Sequence, residues 1–287
     1  MPTDASMNCM AISNLLKLSV KLADVSDSPR LDVEIILSYV LGKDRAHLYT
    51  WPNQILSSLE QTRFNELLRC RVNGEPVAYI IKRREFWSLP LKVSPVTIIP
   101  RPETELLIEK ALSLPLDQQI SVLDLGTGTG AIALALASEK PFWEIIAVDL
   151  AFGAVALAEE NRQQFGFDNV KICQSNWFSN LKEIQFDLIV SNPPYLCLKD
   201  KHLQEGDVRF EPLSALVAND SGLADIHTVV FDSYLHLKPG GWLLLEHGHS
   251  QGKEVRQKMI QAGFSGAETF IDLSGLDRVS VCLKAEL

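Results

Sequence analysis

Two short stretches hold residue types at spacings that could do chemistry. The first is SNPPY, residues 191–195, directly after the apolar run FDLIV. Asn192 offers a side-chain carbonyl oxygen as an acceptor. Pro193 and Pro194 remove two backbone N–H donors and stiffen the turn, so a backbone carbonyl there stays aimed. Tyr195 adds a flat face. Such a corner suits a planar NH2 group whose lone pair is delocalised into a neighbouring π system. Acceptors that hold the two hydrogens aim the lone pair. No strong base is needed first, because the proton can leave after transfer. Catalysis then rests on positioning and on preorganised dipoles. A plain proline-rich exit from a strand is the structural alternative.

The second stretch is LDLGTGTGAIAL, in which Gly126, Gly128 and Gly130 permit a sharp turn and close approach of a ligand. The spacing also satisfies the alanine form of the dinucleotide fingerprint, Gly126-x-Gly128-x-x-Ala131. Asp149 ends the next apolar run, roughly 20 residues on, where an acceptor for a ribose diol belongs in either reading. A nucleoside-containing cofactor is therefore expected, with a purely structural tight turn as the alternative. Asp124, just before the glycines, would repel a pyrophosphate and attract a cationic amino-acid tail. S-adenosylmethionine, with its ammonium, sulfonium and ribose diol, fits these groups. Asn176 and Trp177 of SNWF offer an amide and a flat apolar neighbour for an adenine, although a tryptophan there can equally be a core residue.

These residues need a scaffold. The chain has 287 residues, 46% hydrophobic and 22% charged, enough for two domains of an ordinary soluble protein. The first 75 or so residues read as helical. SPRLDVEIILSYVLG has Ser28 at the N-cap position, Pro29 first in the helix and Gly42 past its end. Its apolar residues Leu31, Ile35, Ile36, Tyr39 and Val40 are expected on one buried face. SSLEQTRFNELLRCRVNG places Ser57 and Glu60 as a capping box and Gly74 as the stop. AISNLLKLSVKLA is expected as an earlier helix. Short β-branched and aromatic runs broken by prolines then suggest a hairpin linker over 79–104. From Gln119 strands and helices alternate, with ISVLDLG, WEIIAVDL, NVKICQS, FDLIVSNPP and GWLLLEHG as strands. That pattern gives an α/β fold with an open, mostly parallel sheet covered on both faces, and ligands bind beyond the carboxyl ends of its strands. The expected domains are a helical bundle over 1–78, the hairpin linker, and a Rossmann-like cofactor domain over 105–287.

Charge and cysteines narrow the setting. The net charge is −9, which argues against a protein that grips a nucleic-acid backbone over a large area. Residues 1–100 carry 12 Lys and Arg against 10 Asp and Glu, a balance of +2. The remainder carries 15 against 26, a balance of −11; the split reads either as chance and solvated surface or as an N-terminal part that docks a partner. No apolar run approaches the roughly 18 residues of a membrane span, and the N-terminus lacks the pattern of a signal peptide. Cys9, Cys70, Cys173, Cys197 and Cys282 form no paired framework and are expected as reduced thiols in a cytoplasmic protein.

The constellation resembles the class I methyltransferases. More narrowly it resembles the HemK/PrmC family, which methylates the side-chain amide of the glutamine in the Gly-Gly-Gln motif of peptide chain release factors. The resemblance covers nearly the whole chain: LDVEIILSYVLGKDRAHLYTWP, GEPVAYI, REFWSLPLKV, IIPRPETE, DLGTGTGAIALALA, VDL, SNWF, SNPPY, FEPLSAL and LEHGHSQG. It implies a seven-stranded sheet and S-adenosylmethionine as methyl donor, leaving S-adenosylhomocysteine. It implies that Gly126, Thr127, Gly128, Thr129 and Gly130 hold the methionine part, that Asp149 takes the ribose and that Trp177 lies against the adenine. Asn192, Pro193, Pro194 and Tyr195 would clamp the glutamine amide, with Asn192 also touching the cofactor. The helical domain would grip a release factor, and the enzyme is expected to act as a monomer with no direct nucleic-acid or membrane partner. The chain departs from the family at Asn176, where an aspartate is usual. It departs again at Ala151 and Phe152, where a Ser-Pro helix start is usual.

Other readings stay open on residues alone. IIPRPETE also suits a plain helix N-terminus, with Pro102 and the Glu103/Glu105 pair. EHGHS sets His247 and His249 beside Glu246, but no further ligand is spaced to complete a metal site, so none is expected. SNPPY chemistry also serves amino methyltransferases acting on adenine in nucleic acid, and the glycine turn also serves nucleotide-cofactor oxidoreductases. A binding protein that has lost activity would not need Asn192.

Overall fold

The computed structural model describes residues 10–286, so Cys9 and the start of the chain lie outside it. Contacts divide the chain into two compact units. One runs to Lys82 and takes in Gln204–Phe210; the other comprises Arg83–Leu203 and Glu211–Leu287. The hairpin expected as a linker groups with the second unit.

The first unit is built from α1 (Ile12–Leu16), α2 (Pro29–Leu41), α3 (Arg45–Thr50), α4 (Ser58–Val72) and α5 (Val77–Ile81). Pro29 opens α2, and Gly42 closes it in the left-handed region at φ +61°, a conformation glycine adopts without strain. Ser28 occupies the N-cap position, but its side chain makes no capping bond. The capping box of α4 is complete: Ser57 accepts from the Glu60 N–H, and Glu60 accepts from the Ser57 N–H at 2.8 Å. AISNLLKLSVKLA is not one α-helix, because α1 tightens into a 3-10 turn over Lys17–Leu22.

The buried face of α2 also differs from expectation. Val33, Ile36 and Leu37 are fully buried, whereas Tyr39 is exposed and Leu31 and Ile35 are only half-buried. The reason is electrostatic. Asp32 and Glu34, which pattern alone assigns to solvent, are buried among cations. The Arg71 Nε donates to Asp32 at 2.6 Å. Glu34 accepts from Arg30 at 2.9 Å, from Arg45 at 2.6 Å and from the Tyr49 hydroxyl. Paired in this way, two carboxylates can share the inner side of the helix with Val33, Ile36 and Leu37.

The second unit opens with an antiparallel hairpin, β1 (Arg83–Phe86) and β2 (Leu89–Lys92). Trp87 and Ser88 form its two-residue turn at φ +51° and +59°, both left-handed, which matches the twist of the flanking strands. Glu105 pins that turn by accepting from the Trp87 N–H at 3.0 Å. There follow α6 (Glu105–Ser113), β3 (Ser121–Leu125), α7 (Ala131–Glu139), β4 (Glu144–Asp149), α8 (Phe152–Phe165), β5 (Val170–Gln174) and β6 (Phe186–Ser191). The chain ends through a kinked turn α9 (Asn219–Gly222), α10 (Ala224–His236), β7 (Leu237–Glu246), α11 (Gly252–Gln261), β8 (Ser265–Ile271) and β9 (Asp277–Leu283).

The seven strands lie in the order β5-β4-β3-β6-β7-β9-β8, parallel except for β9, which runs antiparallel to β7 and β8. Side chains alternate between two cores. Val122, Leu188 and Val190 join α6 and α7 on one face. Leu123, Leu125 and Ile189 join α10 and α11 on the other. Burial on both faces is why these strands read as continuous apolar runs. The strand order reverses between the parallel neighbours β3 and β6, and the crevice above that switch point is where this architecture binds ligands. Among the described residues no helix is long and apolar enough to cross a membrane.

Candidate active site

The register of the switch point brings the two chemical stretches together. Leu125 pairs with Ser191, so the glycine turn after β3 and the Asn-Pro corner after β6 leave the sheet side by side. Val148 pairs with Leu125 on the other side, which places Asp149 next to the glycines. Asp149 pairs in turn with Gln174, so the SNWF loop follows at the same level. A cavity of about 310 Å³ opens here, and its wall includes Gly126, Gly128, Asp149, Trp177, Asn192 and Pro194.

The remaining expected site residues support this wall from outside. The Thr127 hydroxyl donates to Asp124 at 2.6 Å, and the Thr129 carbonyl accepts from Asn161 at 2.9 Å. Gly130 caps α7 at φ +84°, and a Cβ on it would lie 3.1 Å from a Leu134 methyl, so a glycine is required. Pro193 and Tyr195 do not line the cavity. Tyr195 packs against the α10 and α11 side of the sheet, and its hydroxyl donates to Glu246 at 3.3 Å. Burial, followed by the nearby Glu246, holds its phenol protonated far above neutral pH.

Asp149 is the acceptor in the wall. Its Oδ2 accepts from the Gly128 N–H and its Oδ1 from the Ala151 N–H, each at 2.9 Å. The second bond takes over the start of α8, which has no side-chain cap of its own. Each oxygen keeps another lone pair for a hydroxyl donor. Burial raises the Asp149 pKa against these bonds. Asp124 behaves differently. It is wholly buried behind the turn and does not line the cavity. Its Oδ2 accepts from Thr127 and from the Ala133 N–H, while Oδ1 has no partner. Burial pushes its pKa up to about 7.

Two more groups shape the wall beside Asp149. Trp177 stands at φ +45°, an unusual conformation for a bulky residue. Its side chain hydrogen-bonds Asp225, which also lines the cavity and whose pKa burial raises. Asn176 lies alongside. Val96, Thr97 and Ile98, on the segment leading to PRPETE, line the wall, as do Ser214 and Ala215 of FEPLSAL.

The chain is related to curated sequences along nearly its full length. Residues 15–81 match the PrmC N-terminal domain, and residues 102–206 match the methyltransferase small domain. A release factor glutamine methyltransferase of Shewanella oneidensis is 50% identical over 96% of this chain and 96% of its own. That of Pseudomonas aeruginosa is 52% identical over 94% of this chain and 97% of its own. The chain belongs to the release factor glutamine methyltransferase family. The fold agrees: a methyltransferase from Pyrococcus furiosus superposes with a TM-score of 0.53 at 19% identity, over 77% of this chain and 98% of that one.

Family membership gives the PRPETE stretch a setting, and the structure shows what each residue touches. Arg101 donates to the buried Glu211 at 2.6 Å, which also accepts from the Ile99 N–H at 3.3 Å. Pro102 begins a 3-10 turn that leads into α6, so the helix-start reading holds as well. Thr104 donates to Glu246 at 2.6 Å and accepts from the Asn192 side chain at 3.2 Å. Sequence reasoning did not single out Thr104, Glu211 or Asp225, and it weighed Glu246 only beside two histidines. His247 is fully buried, with Nδ1 on the Gly248 carbonyl at 2.9 Å and Nε2 on the Ser280 hydroxyl at 2.8 Å. Both ring nitrogens are thus occupied. Among the described residues no cluster of three or more His, Cys, Asp or Glu could hold a metal.

Proposed function

We propose that this protein transfers a methyl group from S-adenosylmethionine to the side-chain amide nitrogen of the glutamine in the Gly-Gly-Gln motif of peptide chain release factors. The product cofactor is S-adenosylhomocysteine. The observation that carries the reading is the register Leu125–Ser191, which sets the glycine turn and Asn192 around one cavity.

The residues present fit the cofactor. Asp149 has lone pairs left for a diol, the bare backbone at Gly126 and Gly128 admits close approach, and the Trp177 indole offers an apolar face. Thr127, Thr129 and Gly130 hold that turn in shape from behind. When bound, the cofactor supplies an electrophilic methyl on a sulfonium. The protein's own contribution is orientation. The Asn192 side-chain oxygen and a backbone carbonyl of the corner accept the two amide hydrogens of the substrate glutamine. Pro194 keeps the corner rigid, and Tyr195, anchored through Glu246, braces it from the α10 and α11 side of the sheet. Excluding water from this corner strengthens these dipoles.

The helical part, bounded at 1–78 from sequence, is the part we read as gripping the release factor, and its match to the PrmC N-terminal domain over 15–81 supports that reading. One chain carries every group named, so a monomer suffices, and the cytoplasm, where termination occurs, is its place of action. The test is transfer of labelled methyl to a purified release factor, with an adenine-containing oligonucleotide as rival acceptor. Label is expected on the protein alone. Label on the oligonucleotide alone would replace this reading with an adenine methyltransferase, and the lack of S-adenosylhomocysteine binding would reopen the oxidoreductase reading.

A further inference from the structure

A carboxamide such as that of Asn192 has two faces, and only the oxygen can hold a substrate NH2. Something must choose between them. The Asn192 nitrogen donates to Thr104 Oγ1 at 3.2 Å. Thr104 Oγ1 donates to Glu246 Oε2 at 2.6 Å, and the Tyr195 hydroxyl donates to Glu246 Oε1 at 3.3 Å. Thr104 and Glu246 are both buried, at 4% and 1% exposure, so solvent does not compete for these bonds.

The direction of the chain of bonds follows from counting protons. A threonine hydroxyl has one proton and two lone pairs, and an ionised carboxylate only accepts. Burial raises the Glu246 pKa, and the hydroxyl donors Thr104 and Tyr195 on its two oxygens, with the nearby Arg278 guanidinium, act against that shift, so Glu246 meets Thr104 as an acceptor. Thr104 therefore spends its proton on Glu246 and shows Asn192 only a lone pair. That lone pair can be met only by the amide nitrogen. The oxygen of Asn192 is left pointing away from Thr104, on a residue that lines the cavity.

We infer that Thr104 and Glu246 are positioning residues that lock the Asn192 carboxamide with its oxygen free for the substrate amide. The inference rests on the proposed role of Asn192 and deepens it. It also gives the threonine of PRPETE a purpose that a helix start does not. A helix cap would bond a backbone N–H in its own first turn, yet Thr104 makes no side-chain cap bond. Its hydroxyl bridges instead to residues 88 and 142 positions along the chain.

The test compares wild type, Thr104→Val, Thr104→Ala and Thr104→Ser by kcat and KM for the release factor and by calorimetric Kd for S-adenosylhomocysteine. Thr104→Val removes the hydroxyl at constant shape. It is expected to lower kcat about a hundredfold, as losing one preorganised group at a reacting centre does, with KM and Kd little changed. Thr104→Ser keeps the hydroxyl and is expected to recover most of the rate. Undiminished kcat in Thr104→Val overturns the proposal. So does a Thr104→Ser enzyme as slow as Thr104→Val. Loss of S-adenosylhomocysteine binding in both the Val and Ala variants would mark a merely structural role and overturn it too. A wild-type enzyme inert toward the release factor sinks the functional reading itself, and this proposal with it.

Discussion

Asn192 is the residue on which transfer should depend most. Replacing it with alanine removes one of two acceptors for the substrate amide while leaving Asp149, Gly128 and Trp177 in the cavity wall. The expected result for Asn192→Ala is a kcat lower by two to three orders of magnitude, with S-adenosylhomocysteine affinity nearly intact by calorimetry. Equal loss of both would assign Asn192 to cofactor binding instead. Asp124 makes a different prediction, in stability against pH. Its folded pKa of about 7 stands above the ordinary 3.8, with burial as the main cause. The folded state therefore favours the protonated acid. This stability is fully present below the unfolded pKa and is lost as pH rises through about 7. Asp124→Asn keeps the shape without the charge. It should melt above wild type at pH 8, and the gap should close toward pH 4. A variant less stable than wild type at pH 8 would show that the carboxylate is stabilised in place, contrary to this account. At this scale the motif residues were legible because spacing along one strand–turn–helix fixes their geometry. Thr104, Glu246 and Asp225 were not, because each meets the site across the fold and carries no local signature.

The elements were legible wherever local chemistry and burial agreed. Ser57 and Glu60 cap α4 as their spacing predicts, and Gly42 and Pro29 bound α2. The central strands stood out because both faces are buried. By contrast, β8 lies at the sheet edge with most residues exposed or half-buried, so it leaves no apolar run to find. The face of α2 is not legible in its hydrophobic pattern, which says nothing about a buried ion pair between residues far apart in sequence. Arg71 is the centre of that arrangement. It donates to Asp32, to Asp207 at 3.0 Å, and to the carbonyls of Val25, Gly74 and Glu75. Arg71→Leu would leave the buried Asp32 without its cation. A loss of about 3–5 kcal/mol is expected for breaking such a pair from one side, read as a lower melting temperature. An unchanged melting temperature would mean that water or another cation takes over.

For the molecule as a whole, alternation of strands and helices was enough to give the parallel sheet, and the switch point then gave the place of the site. The inclusion of Gln204–Phe210 in the helical unit was not legible, since contacts such as Arg71 with Asp207 span 136 positions of sequence and leave no local signature. Substrate identity is the property that belongs to the whole chain. SNPPY specifies the chemistry of a planar NH2 group, and full-length kinship with the release factor glutamine methyltransferases points to which one. The most direct measurement is mass mapping of a release factor after incubation with enzyme and S-adenosylmethionine, run beside the same factor with the Gly-Gly-Gln glutamine changed to alanine. One methyl increment is expected, on the peptide holding that glutamine, and none on the alanine form. A methyl group on the alanine form, or at any other residue of the unaltered factor, would contradict the account.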